Sequence, residues 1–135
     1  MDMQLKDRTA LVTGASVGIG RGIALALAKA GADIAVNYTR DGDAAAETVA
    51  EIEALGRKAK AYQASVAEEE ASAAMVAAIE AEFGPLSILV NNAGIASRGR
   101  SVADTDAAEV EKLLAIHAVG AHRLSRLALP QLRQH

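Results

Sequence analysis

The stretch Thr13-Gly14-Ala15-Ser16-Val17-Gly18-Ile19-Gly20 places three glycines and two hydroxyls in eight residues, a composition suited to holding a phosphate by main-chain N–H groups. It follows the apolar run Ala10-Leu11-Val12 and opens a stretch at 21–30 that carries Ile23, Leu25 and Leu27 among small residues. A strand, a glycine turn and a helix in that order form the setting in which such a turn cradles a pyrophosphate. Gly14 permits the tight turn, Gly18 brings the backbone close to a phosphate, and Gly20 lets the helix pack on the sheet. Unpaired N–H groups at the helix start then face the anion. The residues Gly14-Ala15-Ser16-Val17-Gly18 also satisfy a nucleophile-elbow pattern, in which Ser16 would be the nucleophile of a serine hydrolase. An elbow ordinarily follows several strands rather than the first, and it has no need of Ile19-Gly20.

A second polar turn lies downstream. The run Ser87-Ile88-Leu89-Val90 reads as a strand, and Asn91-Asn92-Ala93-Gly94 follows it. Thr-Gly-x-x-x-Gly-Ile-Gly near the start and Asn-Asn-Ala-Gly after a later strand together resemble the short-chain dehydrogenase/reductase family, and within it members like the 3-oxoacyl-carrier-protein reductases. The resemblance runs along essentially the whole chain. It implies an oxidoreductase that binds a nicotinamide dinucleotide and reduces a carbonyl or oxidises an alcohol. By the same resemblance Ser16, Ile19 and the backbone around Gly18 meet the ribose and pyrophosphate. Asn92, Ala93 and Gly94 line the adenosine-ribose side and tie the fourth strand to its neighbours.

The resemblance also bears on which dinucleotide binds. An acidic residue about 20 positions beyond the glycines holds the adenosine ribose hydroxyls in NAD-preferring folds. Tyr38 stands at that position here, with Thr39 and Arg40 after it. We therefore expect NADP(H) rather than NAD(H), with Thr39 and Arg40 on the 2′-phosphate; the plainer reading of Arg40 is a solvated loop charge. Ser65 precedes Val66 where relatives carry an aspartate that accepts from the adenine amino group, and it would do so more weakly. Ser87 likewise replaces an aspartate, a change we read as structural.

Family members transfer the proton with a serine, a tyrosine and a lysine four residues after the tyrosine. Tyr38 is followed at that spacing by Gly42 and Tyr62 by Val66, so neither forms the pair. The last helix resembles the one before the strand bearing the catalytic serine. The expectation is a cofactor-binding part, incomplete relative to the family, with no catalytic residue among its 135. His117 falls where relatives place an asparagine of the proton-relay network; it would hold a water, or be a drifted polar residue of the helix. His117 and His122 point to different helix faces and make no metal site. Leu113, Ile116, Leu124 and Leu127 on the same helix are expected to serve a homo-oligomer interface as well as the core. The alternative is a non-catalytic nucleotide-binding or interaction module, for which the altered Ser65, Ser87 and His117 speak.

Composition bounds these readings. A chain of 135 residues, 51% hydrophobic, can bury one substantial core and is short for two, so one domain spanning 1–135 is expected. A net charge of −3 without a basic cluster argues against nucleic acid and anionic membranes, and zero cysteines exclude disulfides and thiolate metal sites. No apolar run approaches the roughly 20 residues of a membrane span, and a cytoplasmic protein is the default.

The elements that must position the motifs alternate. Strands are expected at 10–12, 33–38, 58–64 and 87–90. Helices are expected at 21–30, 44–55 and after Glu68-Glu69-Glu70, where Met75, Val76, Ile79 and Phe83 face inward. A last helix starts near Thr105 or Asp106, with Pro130 kinking or ending it. Such alternation implies right-handed β-α-β units and a Rossmann-like, doubly wound α/β fold with strand order 3-2-1-4, truncated after the fourth strand and its following helix. Ligands then bind where the order reverses, beside both motifs.

Overall fold

The apolar runs meet in one parallel sheet. The computed structural model describes residues 3–96 and 99–135. Its strands β1 (Thr9–Val12), β2 (Asp33–Tyr38), β3 (Ala59–Gln63) and β4 (Ile88–Val90) lie in the order β3-β2-β1-β4, as the alternation implied. Val12 pairs with Val36 on one side and Val90 on the other, so β1 and β4 finish level and β2 two residues beyond. The segments that follow these strands therefore emerge along one edge.

Side-chain alternation splits the core in two. Ala10, Val12, Ile34 and Val36 pack under α1 (Gly18–Lys29) and α2 (Gly42–Ala54), whose Ala24, Ala28 and Ala45 let the helices approach closely. Leu11 and Ala35 point the other way, toward Met75, Val76 and Ile79 of α3 (Glu69–Phe83) and Leu124 of α5 (Ala121–Leu132). Leu11 is fully buried, which contributes about 1.5–3 kcal/mol over an exposed position.

Helix α1 starts three residues earlier than the periodicity suggests, because Gly18 to Gly20 already belong to its first turn. Asp41 caps α2, its Oδ1 accepting from the Ala44 N–H at 2.9 Å. Both helices close with paired bonds to their last turn, from Gly31 and Ala32 for α1 and from Gly56 and Arg57 for α2.

The C-terminal helix is more broken than expected. After a 3₁₀ turn at Val102–Asp104, α4 (Ala107–Leu114) starts under an Asp106 cap, passes through a π-helical turn at Ala115–Gly120, and continues as α5. The run does not stop at Pro130 but at Leu132. Gln131, buried in that last turn, holds it: its Oε1 accepts from the Leu86 N–H at 2.9 Å and its Nε2 donates to the Val76 carbonyl at 3.3 Å. Leu124 is fully enclosed, which removes it from any interface; the apolar side chains this run presents to solvent are Val110, Leu114, Val119 and Leu129. Among the described residues no helix is long and apolar enough to cross a membrane.

Candidate functional site

The glycine turn, the end of β2, the segment after β3 and the segment after β4 enclose a cleft of about 770 Å³ at the carboxyl edge of the sheet. Gly14, Ser16, Ile19, Gly20, Tyr38, Thr39, Arg40, Ser65, Val66, Asn92, Ala93 and Gly94 all line it. Gly18 does not. It opens α1 with φ 61° and has open space where a side chain would stand.

The turn is clamped from behind. Gly14 N–H donates to Asn37 Oδ1 at 3.2 Å and Ala15 N–H to the Asn37 carbonyl at 2.9 Å. Thr48, fully buried on α2, donates to the Ser16 carbonyl at 3.1 Å and lies at the same distance from the Ala44 carbonyl. Arg21 reaches Thr48 and pairs with Glu51, fastening α1 to α2 beside the turn. At Gly20 a side chain would overlap the Gly14 carbonyl oxygen and come within 2.5 Å of Asn92 Nδ2, so only glycine lets the helix start this close to the turn. Among the described residues nothing accepts from the N–H groups of Gly18, Ile19 and Gly20, and Val17 supplies no side-chain cap. Those groups leave the helix start with unsatisfied positive ends, the electrostatics of an anion site.

The β4 side is welded to the turn through Thr13. Its Oγ1 accepts from the N–H groups of Asn92 and Ala93, each at 2.9 Å, and lies 3.4 Å from the Val90 carbonyl. Asn92 Nδ2 donates back to the carbonyls of Thr13 and Gly14 at 3.1 and 3.2 Å. Asn92 and its neighbours therefore tie β4 to β1, and the amide that does so also backs Gly20.

On the β2 side, Arg40 is exposed and makes no hydrogen bond or ion pair among the described residues, while the Thr39 carbonyl accepts from Gln63 Nε2 at 3.1 Å. Asp41 also lines the cleft, a carboxylate the sequence reading did not weigh; its Oδ1 is engaged at the N-terminus of α2. Ser65 Oγ accepts from the Ala67 N–H at 3.2 Å and keeps its own proton to donate. Ser87, the other changed position, accepts from the Thr9 N–H at 3.3 Å and so serves the sheet.

His117 stands on the π turn with Nε2 3.0 Å from the Ile95 nitrogen and 2.8 Å from the Ile95 oxygen, accepting from one or donating to the other according to tautomer. Its ring fills the space a side chain at Gly94 would need. A small cavity of about 110 Å³ lies beside it, lined also by Thr13 and Asn92. Among the described residues no histidine bonds to Ser16, and no three metal-ligating side chains converge.

Sequence reasoning missed the far wall: Ile95, Ala96, Lys112, Ala115 and Ile116. Ile95 and Ala96 simply extend the Asn-Asn-Ala-Gly turn. Lys112 gave no signal; it lines the cleft from α4, a helix set off from α5 by the π turn.

The sequence profile of the short chain dehydrogenase family matches residues 8–135. The chain is 38% identical over 128 residues to an L-rhamnose 1-dehydrogenase (NAD(P)(+)) of Sphingomonas sp., covering 95% of this chain and 50% of that protein. It is 50% identical over 88 residues to the 3-oxoacyl-[acyl-carrier-protein] reductase FabG of Staphylococcus aureus, covering 65% of this chain and 36% of that one. A short chain dehydrogenase from Burkholderia cenocepacia, solved in complex with NADP, superposes with a TM-score of 0.90 at 41% identity, over 94% of this chain and 51% of that chain. The chain thus spans about half the length of these relatives or less. It belongs to the short-chain dehydrogenase family.

Proposed function

We propose that the cleft binds NADP(H), in the service of carbonyl reduction or alcohol oxidation by an oxidoreductase. The observation that carries the reading is the arrangement of Tyr38, Thr39 and Arg40 on the same wall system as the glycine turn, with Tyr38 where an acidic residue would select NAD and the unengaged Arg40 guanidinium two residues on. The unsatisfied N–H groups of Ile19 and Gly20, which line the cleft, fit a pyrophosphate, and Thr39 and Arg40 fit a 2′-phosphate. Ser65 would meet the adenine edge beside Val66, and Asn92 to Gly94 the adenosine ribose. The nicotinamide, when bound, supplies or takes the hydride. These residues would hold the adenosine, pyrophosphate and 2′-phosphate parts of the cofactor.

The 135 residues contain no tyrosine with a lysine four positions on, so the reading for this chain by itself is binding without turnover. That is also the content of the module alternative. The aliphatic side chains exposed along α4 and α5, chiefly Leu114, Val119 and Leu129, support a homo-oligomer through this run, in a cytoplasmic protein.

Calorimetric titration tests the reading. NADPH binds more tightly than NADH, and Arg40→Ala weakens NADPH about tenfold or more, the scale of one lost charge-assisted bond, while NADH changes less than about twofold. Equal affinities for the two, or no binding of either, overturn it.

A further inference from the structure

Asn37 is a polar residue at the end of the enclosed part of β2; the strand's other polar member, Asp33, stands at its half-buried start. Asn37 is 1% exposed, and it follows Ile34, Ala35 and Val36, all fully buried. Burying a carboxamide costs free energy unless its donors and acceptor are all paired, and a valine would serve the sheet equally well. Its pairing is complete on the donor side. Nδ2 donates to the Tyr62 carbonyl at 3.2 Å and the Ala64 carbonyl at 3.0 Å, and it also touches Met75 Sδ at 3.4 Å. Oδ1 takes the Gly14 N–H, and the main-chain carbonyl of the same residue takes the Ala15 N–H.

We infer that Asn37 is a positioning residue for the dinucleotide, an inference that rests on the NADP(H) reading above. One carboxamide joins the two walls of the cleft: the glycine turn on one side, and on the other the end of β3 immediately before Ser65, Val66 and Ala67. The carboxamide captures the Gly14 N–H and turns it toward β2, while the main-chain carbonyl of Asn37 takes the Ala15 N–H. The later N–H groups, of Ile19 and Gly20, are left to face the anion. The spacing between the pyrophosphate turn and the Ser65 wall is thereby fixed before any ligand arrives, which is how preorganisation raises affinity.

Asn37→Asp keeps the shape and the acceptor for Gly14 but sets an oxygen against the two β3 carbonyls. Burial and those carbonyls favour the protonated acid, which regains one donor, so the defect heals as pH falls. The expected result, by calorimetry with NADPH, is a ratio of variant to wild-type Kd of about ten near pH 8 that falls at least threefold by about pH 6. Taking the ratio cancels titration of the ligand phosphate. A ratio within twofold of unity at both pH values overturns the inference. So does a pH-independent rise that merely tracks a lowered melting temperature, the signature of a structural role. Should the variant not fold, the wild type still decides by NMR: amide protons of Gly14 and Ala15 exchange at least about a hundredfold more slowly than those of Gly18 to Gly20, and comparable rates overturn the inference. Absence of NADPH binding by the wild type overturns the functional reading and this one with it, whereas tight binding by both proteins overturns this one alone.

Discussion

Thr13→Val probes the weld between β1 and β4 with almost no change of shape. The hydroxyl accepts from the N–H groups of Asn92 and Ala93, and Thr13 is 1% exposed. The two losses are unequal. Asn92 N–H also lies 3.1 Å from the Val90 carbonyl and keeps that partner, so its loss is worth about 0.5–1 kcal/mol; Ala93 N–H has no second acceptor among the described residues and bears an unsatisfied-donor cost of about 1–3 kcal/mol. The sum is about 1.5–4 kcal/mol, and a water entering the adjoining cavity of about 110 Å³ brings it toward the lower end. At roughly 3–5 °C per kcal/mol for a domain of this size, Tm falls by about 5–20 °C, the lower part of that range applying where a water takes up the free N–H. Urea unfolding followed by circular dichroism measures the free energy directly, and Thr13→Ser, which keeps the oxygen and drops one methyl, recovers most of it. A Thr13→Val variant within about 0.5 kcal/mol of the wild type, or a serine variant no better than the valine, would refute the assignment of that oxygen as the acceptor holding the Asn92–Ala93 turn.

Two further outcomes follow from one contact at the cleft and one at the edge of the sheet. Gly20→Ala drives a methyl into the Gly14 carbonyl and Asn92 amide, costs about 1–3 kcal/mol of stability by overpacking, and weakens NADPH at least about tenfold by shifting the turn; an alanine variant with unchanged Kd rejects the close-approach argument. At the outer edge of the sheet, burial, followed by the Glu82 carboxylate that accepts from the Tyr62 hydroxyl at 2.8 Å, raises the Tyr62 pKa. A raised folded value means that the unfolded chain loses its phenolic proton first, so this stabilisation is present below about pH 10 and is lost as pH climbs above it. Tyr62→Phe flattens that alkaline decline in urea-unfolding free energy, and an unchanged slope between about pH 9.5 and 11 contradicts the coupling.

What the sequence made legible and what it did not differ in physical kind. Strand and helix identities, their order and the two glycine and asparagine turns could be read because each depends on residues close in the chain: apolar period, caps and stops act within one element. The start of α1 moved from 21 to 18 for the same local reason, since glycines that break most helices occupy a first turn whose N–H groups need no partner. The site residues that escaped notice depend on register between elements. Asn37 did carry a signal, a carboxamide directly after the apolar run Ile34-Ala35-Val36, but its partners follow only once Asn37 is set beside Tyr62 in the parallel ladder. A slip of one residue would turn that carboxamide to the opposite face, away from both Gly14 and Ala64. Thr48 reaches the Ser16 carbonyl only because α2 crosses beside the glycine turn, and Lys112 lines the cleft from α4, a helix set off from α5 by the π turn. The motif residues name the ligand class, while the residues that hold the motif still are chosen by packing. For that reason the Asn37 and Thr13 variants, which leave every motif glycine in place, are the sharper tests of how this cleft is built.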